Sequence, residues 1–157
     1  MTVDLIEQYR RWFDYEKDSH AKVLDSLLSV GARLTVRPEF QKAVDLLAHV
    51  AAARWLWLHR LGVLANGPPN VFPKGVKVTD LETALSEMHD TWSAYLATLS
   101  APQIERSFEY QSLEGATYRN RVRDILTQLY GHSLYHRGQI ALLLRSIGAQ
   151  PAETDLV

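Results

Sequence analysis

The 157-residue chain carries six histidines, and two of them stand four residues apart in "LYGHSLYHRGQIALLLRSIGAQP". At about 100° per residue, His132 and His136 point only about 40° apart around a helix, one turn along it. With His132 as the reference direction, Ile125, Leu129, Ile140, Leu143 and Ile147 fall within about 80° of it on one side. The positions 125, 129, 132, 136, 140, 143 and 147 advance in steps of three and four, which marks a core-facing seam. Both imidazoles therefore belong to the seam. A buried imidazole needs partners for its ring nitrogens. A divalent metal satisfies two rings together, because an i, i+4 pair can aim two nitrogens at one ion. Two core histidines, each hydrogen-bonded to protein groups, is the competing reading, and the spacing alone does not separate the two.

A third imidazole shifts the balance toward metal. His49 lies in a second seam, Leu46, His49, Ala53 and Leu56, and Ala48, Ala51 and Ala52 beside it would let another helix approach closely. Read alone, His49 would be a single core histidine. Together with His132 and His136 it makes a three-nitrogen site, and three protein ligands with open positions is the catalytic arrangement, whereas closed structural sites use four. Three neutral imidazoles suit zinc, nickel, iron or copper, and sequence does not choose among them. Such an ion would act as a Lewis acid on a bound water, thiol or carbonyl. The chain has no cysteine, so any thiol nucleophile must arrive as a cosubstrate.

The remaining polar candidates surround this trio. Glu16 and His20 share the core side of the first helix, as supports for the ligand rings, as a base with its orienting group, or as a structural pair. Gln128, Tyr135 and Gln139 lie along one edge of the His132–His136 stripe, at roughly −40°, −60° and −20°. They would fix imidazole tautomers or contact substrate, or simply be polar residues flanking a core. His59 is turned about 80° from His49 and reads as a surface or helix-end residue. His89 flanks the third helix's stripe, solvated or supporting the site from behind. Arg137, about 100° beyond His136, reads as a structural ion-pairing group, with an anionic substrate as its other use. Arg119, Arg121 and Arg123 form a basic run expected to be solvated. Trp12, Trp55, Trp57 and Trp92 read as core or dimer contacts.

Four long segments with helical periodicity must position these groups. The first runs from about Thr2 to Leu28 and the second from Pro38 to Val63, with proline tolerated in the first turn. The third starts near Thr79 or Asp80, where "TDLE" resembles a capping box, and carries the stripe Leu81, Leu85, Met88, Trp92, Tyr95 and Leu99. The fourth runs from about Arg121 to Ile147, with Gly148 as its stop and Pro151 beyond. "LANGPPNVFPKGV" makes a long loop between the second and third. "RSFEYQSLEGATYRNR" alternates aromatic and polar residues around a turn, as a β-hairpin does. A lone hairpin is marginal in water, so this one must pack on the helices. The expectation is an all-α four-helix bundle with a short β-hairpin inserted before the last helix, and a single domain over residues 1–157.

Composition agrees with a soluble globular chain: 46% apolar and 22% charged residues, with 17 basic against 18 acidic side chains. That balance argues against a dedicated nucleic-acid binder. The charged start "MTVDLIEQYRRW" lacks a signal-peptide apolar region, and "AVDLLAHVAAARWLWLHRLGV" is too interrupted by charge to span a membrane. A cytoplasmic location is expected.

"YGHSLYHRGQIALLLRSIGAQPAETD" resembles the closing motif of the DinB/YfiT-like metalloenzymes, an H-x-x-x-H joined to the run HRGQ and ending R-x-x-G-x-x-P-x-x-T-D. "FDYEKDSH" and "LLAHVAAARWLWLHRL" resemble that family's first two helices, so the likeness covers essentially the whole chain. It implies an up-down-down-up bundle with a metal, nickel or zinc, held by His49, His132 and His136. It also implies a homodimer and a small-molecule substrate, with a low-molecular-weight thiol as cosubstrate in some relatives, as S-transferases or isomerases. A hydrolase is the neighbouring possibility, and a non-catalytic metal-binding stress-response or sensor protein the alternative. Gln128 departs from the pattern, since many relatives carry a further histidine there.

Overall fold

The computed structural model describes residues 4–157. The first helix, α1, spans Leu5–Leu28, opened by the Asp4 carboxylate, which accepts from the Ile6 amide at 3.0 Å. The expected start at Thr2 lies outside the described residues. A one-turn helix, α2 (Ala32–Thr35), fills what the sequence marks as a break. Helix α3 spans Pro38–Arg60 with the proline in its first turn, as expected, but ends before Val63. A 3-10 turn over Val78–Asp80 precedes α4 (Leu81–Thr98). The expected capping box is not made there, because Thr79 lies within the 3-10 turn, and Asp80 sits in the helical region with a side chain that caps nothing. A further short helix, α5 (Ala101–Glu105), follows "LS". The Gln103 side chain there accepts from the Ser100 amide at 2.7 Å.

The hairpin forms where the aromatic alternation places it. Strands β1 (Ser107–Gln111) and β2 (Thr117–Arg121) pair antiparallel, with Tyr110 opposite Tyr118. Phe108 is buried, so the hairpin packs on the bundle through that ring. Helix α6 (Val122–Ser146) closes the fold, and Gly148, at φ 81°, takes the left-handed conformation that a side chain would resist.

The four long helices α1, α3, α4 and α6 form the bundle, with α3 packed most extensively on α6. Trp92 anchors the centre. It is fully buried, and its indole N–H donates to the Arg54 carbonyl at 3.0 Å, so its one polar atom is satisfied. Tyr9 ties α1 to α6 through the Arg123 carbonyl (3.0 Å) and the Thr127 hydroxyl (2.9 Å). Among the described residues no helix is long and apolar enough to cross a membrane.

Candidate metal centre

Helices α3 and α6 bring His49, His132 and His136 together. Nε2 of His132 lies 3.1 Å from Nε2 of His49 and 3.1 Å from Nε2 of His136. A single ligand atom from each ring lies within 4.8 Å of the others, so the trio could hold a metal ion. Among the described residues no other group of histidines and carboxylates meets that condition. Four nitrogens placed tetrahedrally about zinc at about 2.0–2.1 Å would be about 3.3 Å apart, close to the spacing here.

The tautomers point the same way. His49 Nδ1 lies 2.6 Å from the Val71 carbonyl, and His136 Nδ1 lies 2.7 Å from the Gln139 side-chain oxygen. Both oxygens only accept, so each Nδ1 carries the proton and each Nε2 presents a lone pair. His132, when neutral, can donate one proton to one of its two Nε2 neighbours, never to both. At least one Nε2 lone pair is therefore left without a proton donor in the trio, a cation between the rings would answer it, and the donor set suits a borderline divalent ion. Burial pushes the His132 affinity for protons down to about 4, helped by its two imidazole neighbours, and burial also lowers His136. The lone pairs are therefore available at neutral pH.

The α3–α4 loop builds the outer wall. Asp45, one turn before His49, is buried and accepts from the amides of Gly75 (3.1 Å) and Val76 (3.0 Å) and from Gln41 (2.9 Å). Gly75 has φ 67°, which lets the chain turn back there. The loop thus presents the Val71 carbonyl to His49 and lays the Phe72 ring on its face, centroids 4.8 Å apart. A cavity of about 270 Å³ opens over His49 and His136, bounded by Lys42, Leu46, Phe72, Lys74 and Tyr135.

Of the flanking residues singled out from sequence, Gln139 bonds the His136 ring and Tyr135 stands edge-on to it, 5.2 Å between centroids. Gln128 is exposed and touches none of the three imidazoles by hydrogen bond. Glu16 and His20 are fully buried but do not pair with each other: Glu16 binds the Arg54 guanidinium, and His20 Nδ1 meets His89 Nε2 at 2.9 Å. His89 thus serves His20, and His59 is exposed at the end of α3, bonded to the Leu64 carbonyl. The expected ion pair of Arg137 is not made. That residue is buried and donates to the Tyr15 hydroxyl instead. The basic run is neutralised locally: Arg119 pairs with Glu109, and Arg121 and Arg123 with Glu105. Sequence reasoning did not find Val71, Phe72 or the task of Asp45. The one available signal was Asp45 preceding His49 by four residues on a buried face.

Comparison with known proteins agrees with the fold. The model of the DinB family matches residues 1–157. Among solved structures, one described as YfiT from Bacillus subtilis, "a probable metal-dependent hydrolase with an unusual four-helix bundle topology", superposes with a TM-score of 0.69. It is 19% identical, over 92% of this chain and 90% of that one, and so speaks for the shared bundle topology. A comparison with curated proteins gives no significant match.

Proposed function

The chain belongs to the DinB family, and on that premise we propose that it is a metal-dependent enzyme whose divalent ion, nickel or zinc, is held by His49, His132 and His136. The observation that carries this reading is the convergence of three Nε2 atoms, two of them stripped of their proton by bonds made on the far side of the ring. Such an ion supplies Lewis-acid chemistry, polarising a carbonyl or activating a water or thiol.

The chain's own residues supply binding and orientation. Val71 and Gln139 hold the rings in register. Phe72, Leu46 and Tyr135 wall the cavity, and its volume of about 270 Å³ suits a small molecule. Hydrolysis or thiol-dependent S-transfer both fit. The description of the similar YfiT structure favours the first, and the absence of cysteine means the second needs an external thiol. A homodimer in the cytoplasm completes the proposal, and sedimentation velocity tests the dimer.

One observation favours a second reading, a metal-binding sensor or stress-response protein without turnover. Among the described residues Asp45 is the one carboxylate lining the cavity, and it is committed to the loop amides, so no free carboxylate stands beside the imidazoles as a general base. Elemental analysis of purified protein should give one transition metal per chain, and His136→Ala should reduce it more than about 100-fold in affinity. Ester and amide substrates, and thiols with electrophiles, are then assayed with metal present. Turnover lost in His136→Ala supports the enzyme. Full metal occupancy with no turnover across both panels supports the sensor. Metal-free protein with all three histidines intact would sink both.

A further inference from the structure

Arg137 is 4% exposed, yet among the described residues no carboxylate stands within ion-pair distance of it. Its guanidinium donates to the Tyr15 hydroxyl at 2.9 Å and lies over that ring at 5.1 Å, while its Nε has no partner. Buried charges are costly unless paired. Of the buried carboxylates, Asp45 holds the distant loop and Glu16 binds Arg54. Of the two buried guanidiniums only that of Arg54 has a carboxylate partner, and the charge of Arg137 has none among the described residues.

That charge floors a cavity of about 300 Å³ between α1, α6 and the C-terminal segment. Val23, Ala141, Leu144 and Pro151 give it apolar walls. The segment is pinned over it by the Tyr15 hydroxyl, which donates to the Thr154 carbonyl while accepting from Arg137. Arg145, Glu153 and Asp155 also line it, one cation against two anions. No lining residue is shared with the cavity over the imidazoles.

We propose that this cavity is a second ligand site, which takes a small organic monoanion: a carboxylate with a short apolar tail. The carboxylate pairs with Arg137, and the tail lies against the apolar walls. Arg137 is the one buried charged residue lining the cavity, so one carboxylate is enough to pair with it, and the exposed Glu153 and Asp155 at the cavity disfavour a polyanion such as phosphate. Hydrogen bonds to a charged guanidinium are strong enough to separate a carboxylate from its neutral amide by about tenfold or more.

The test titrates full-length, zinc-loaded protein with benzoate and, separately, benzamide. Nuclear magnetic resonance follows the Arg137 Nε–Hε signal and the amides of Tyr15, Ala141 and Thr154. Saturable shifts of these signals are expected with benzoate, and binding about tenfold weaker or less with benzamide. Arg137→Gln should weaken benzoate by a similar factor. Should that variant not fold, Ala141→Leu, which fills the cavity and leaves Arg137 in place, should also block binding. Shifts confined to Phe72, Tyr135 and His136, and untouched by Ala141→Leu, would place benzoate on the zinc alone and overturn the proposal. So would the lack of any saturable shift, or a crystal structure in which Glu153 or Asp155 pairs with Arg137.

Discussion

Between α3 and α6, three imidazoles turn their Nε2 atoms toward one another, and two of them, His49 and His136, bond the chain behind them through Nδ1. Deeper among α1, α3 and α4, His20 and the half-buried His89 stack on each other, and Glu16 meets Arg54 inside the core. Both regions bury polar groups from several helices. The first leaves its ring nitrogens converging beside an open cavity, while the second pairs His20 with His89 and Glu16 with Arg54, and its unpartnered atoms, His20 Nε2 among them, belong to no such convergent group. The number of histidines in a core therefore says little about function. What matters is whether several ring nitrogens converge on one point that an ion could occupy.

The comparison is most severely tested at Glu16. Its side chain and that of Arg54 are 1% and 5% exposed, so Glu16→Ala strands a buried guanidinium. A loss of about 3–5 kcal/mol is expected in denaturant unfolding, with metal content per folded chain unchanged. A variant that stayed within about 1 kcal/mol would mean the Arg54 charge is neutralised by other groups, and the contrast would fail.

Acid should act on both regions at once. Burial lowers His89 and His132 to about 4, and pushes His20 well below its ordinary value. Unfolded, these rings bind protons near pH 6.5, so between about 6.5 and 4 the unfolded state takes up more protons than the folded one. Stability is full above that window and is lost as pH falls through it. For metal-free protein a drop of about 2 kcal/mol from pH 7 to pH 5 is expected, after allowing for water around the half-buried rings. A flat profile across that range would show that the imidazoles are not held neutral by the fold.

Gln139→Ala separates the two regions from the other side. It removes the bond that fixes the His136 tautomer, so metal affinity in a competition titration should fall about tenfold, with thermal stability of the metal-free protein little changed. Gln128→Ala is the small-effect control: its side chain is exposed, and affinity and stability should move by less than about 0.5 kcal/mol. An effect of Gln128→Ala as large as that of Gln139→Ala would put Gln128 in the site after all.

The seam through Ile125, Leu129, His132, His136 and Ile140 was legible because helical periodicity is local: each residue's direction follows from its number. The same holds for Gly148 as the stop of α6, and for Phe108 and Tyr110 in the hairpin. The start of α4 was less so. "TDLE" has the right letters, but the backbone at Asp80 is helical, and a cap needs the extended conformation.

The partner of each buried side chain was not legible. Glu16 and His20 share a helix face and look like a pair, yet each turns to a different neighbour, Arg54 on α3 and His89 on α4. By itself the sequence determined which residues face the core, where the helices run and that three positions of the seams carry imidazoles. These are matters of spacing along one chain. Tertiary structure alone decided that Asp45 would hold the loop that brings Val71 and Phe72 to His49. It alone decided, too, that Arg137 would be buried without a carboxylate. Hydrogen bonds and ion pairs act over a few ångströms, and which atoms come that close is set by how the helices pack.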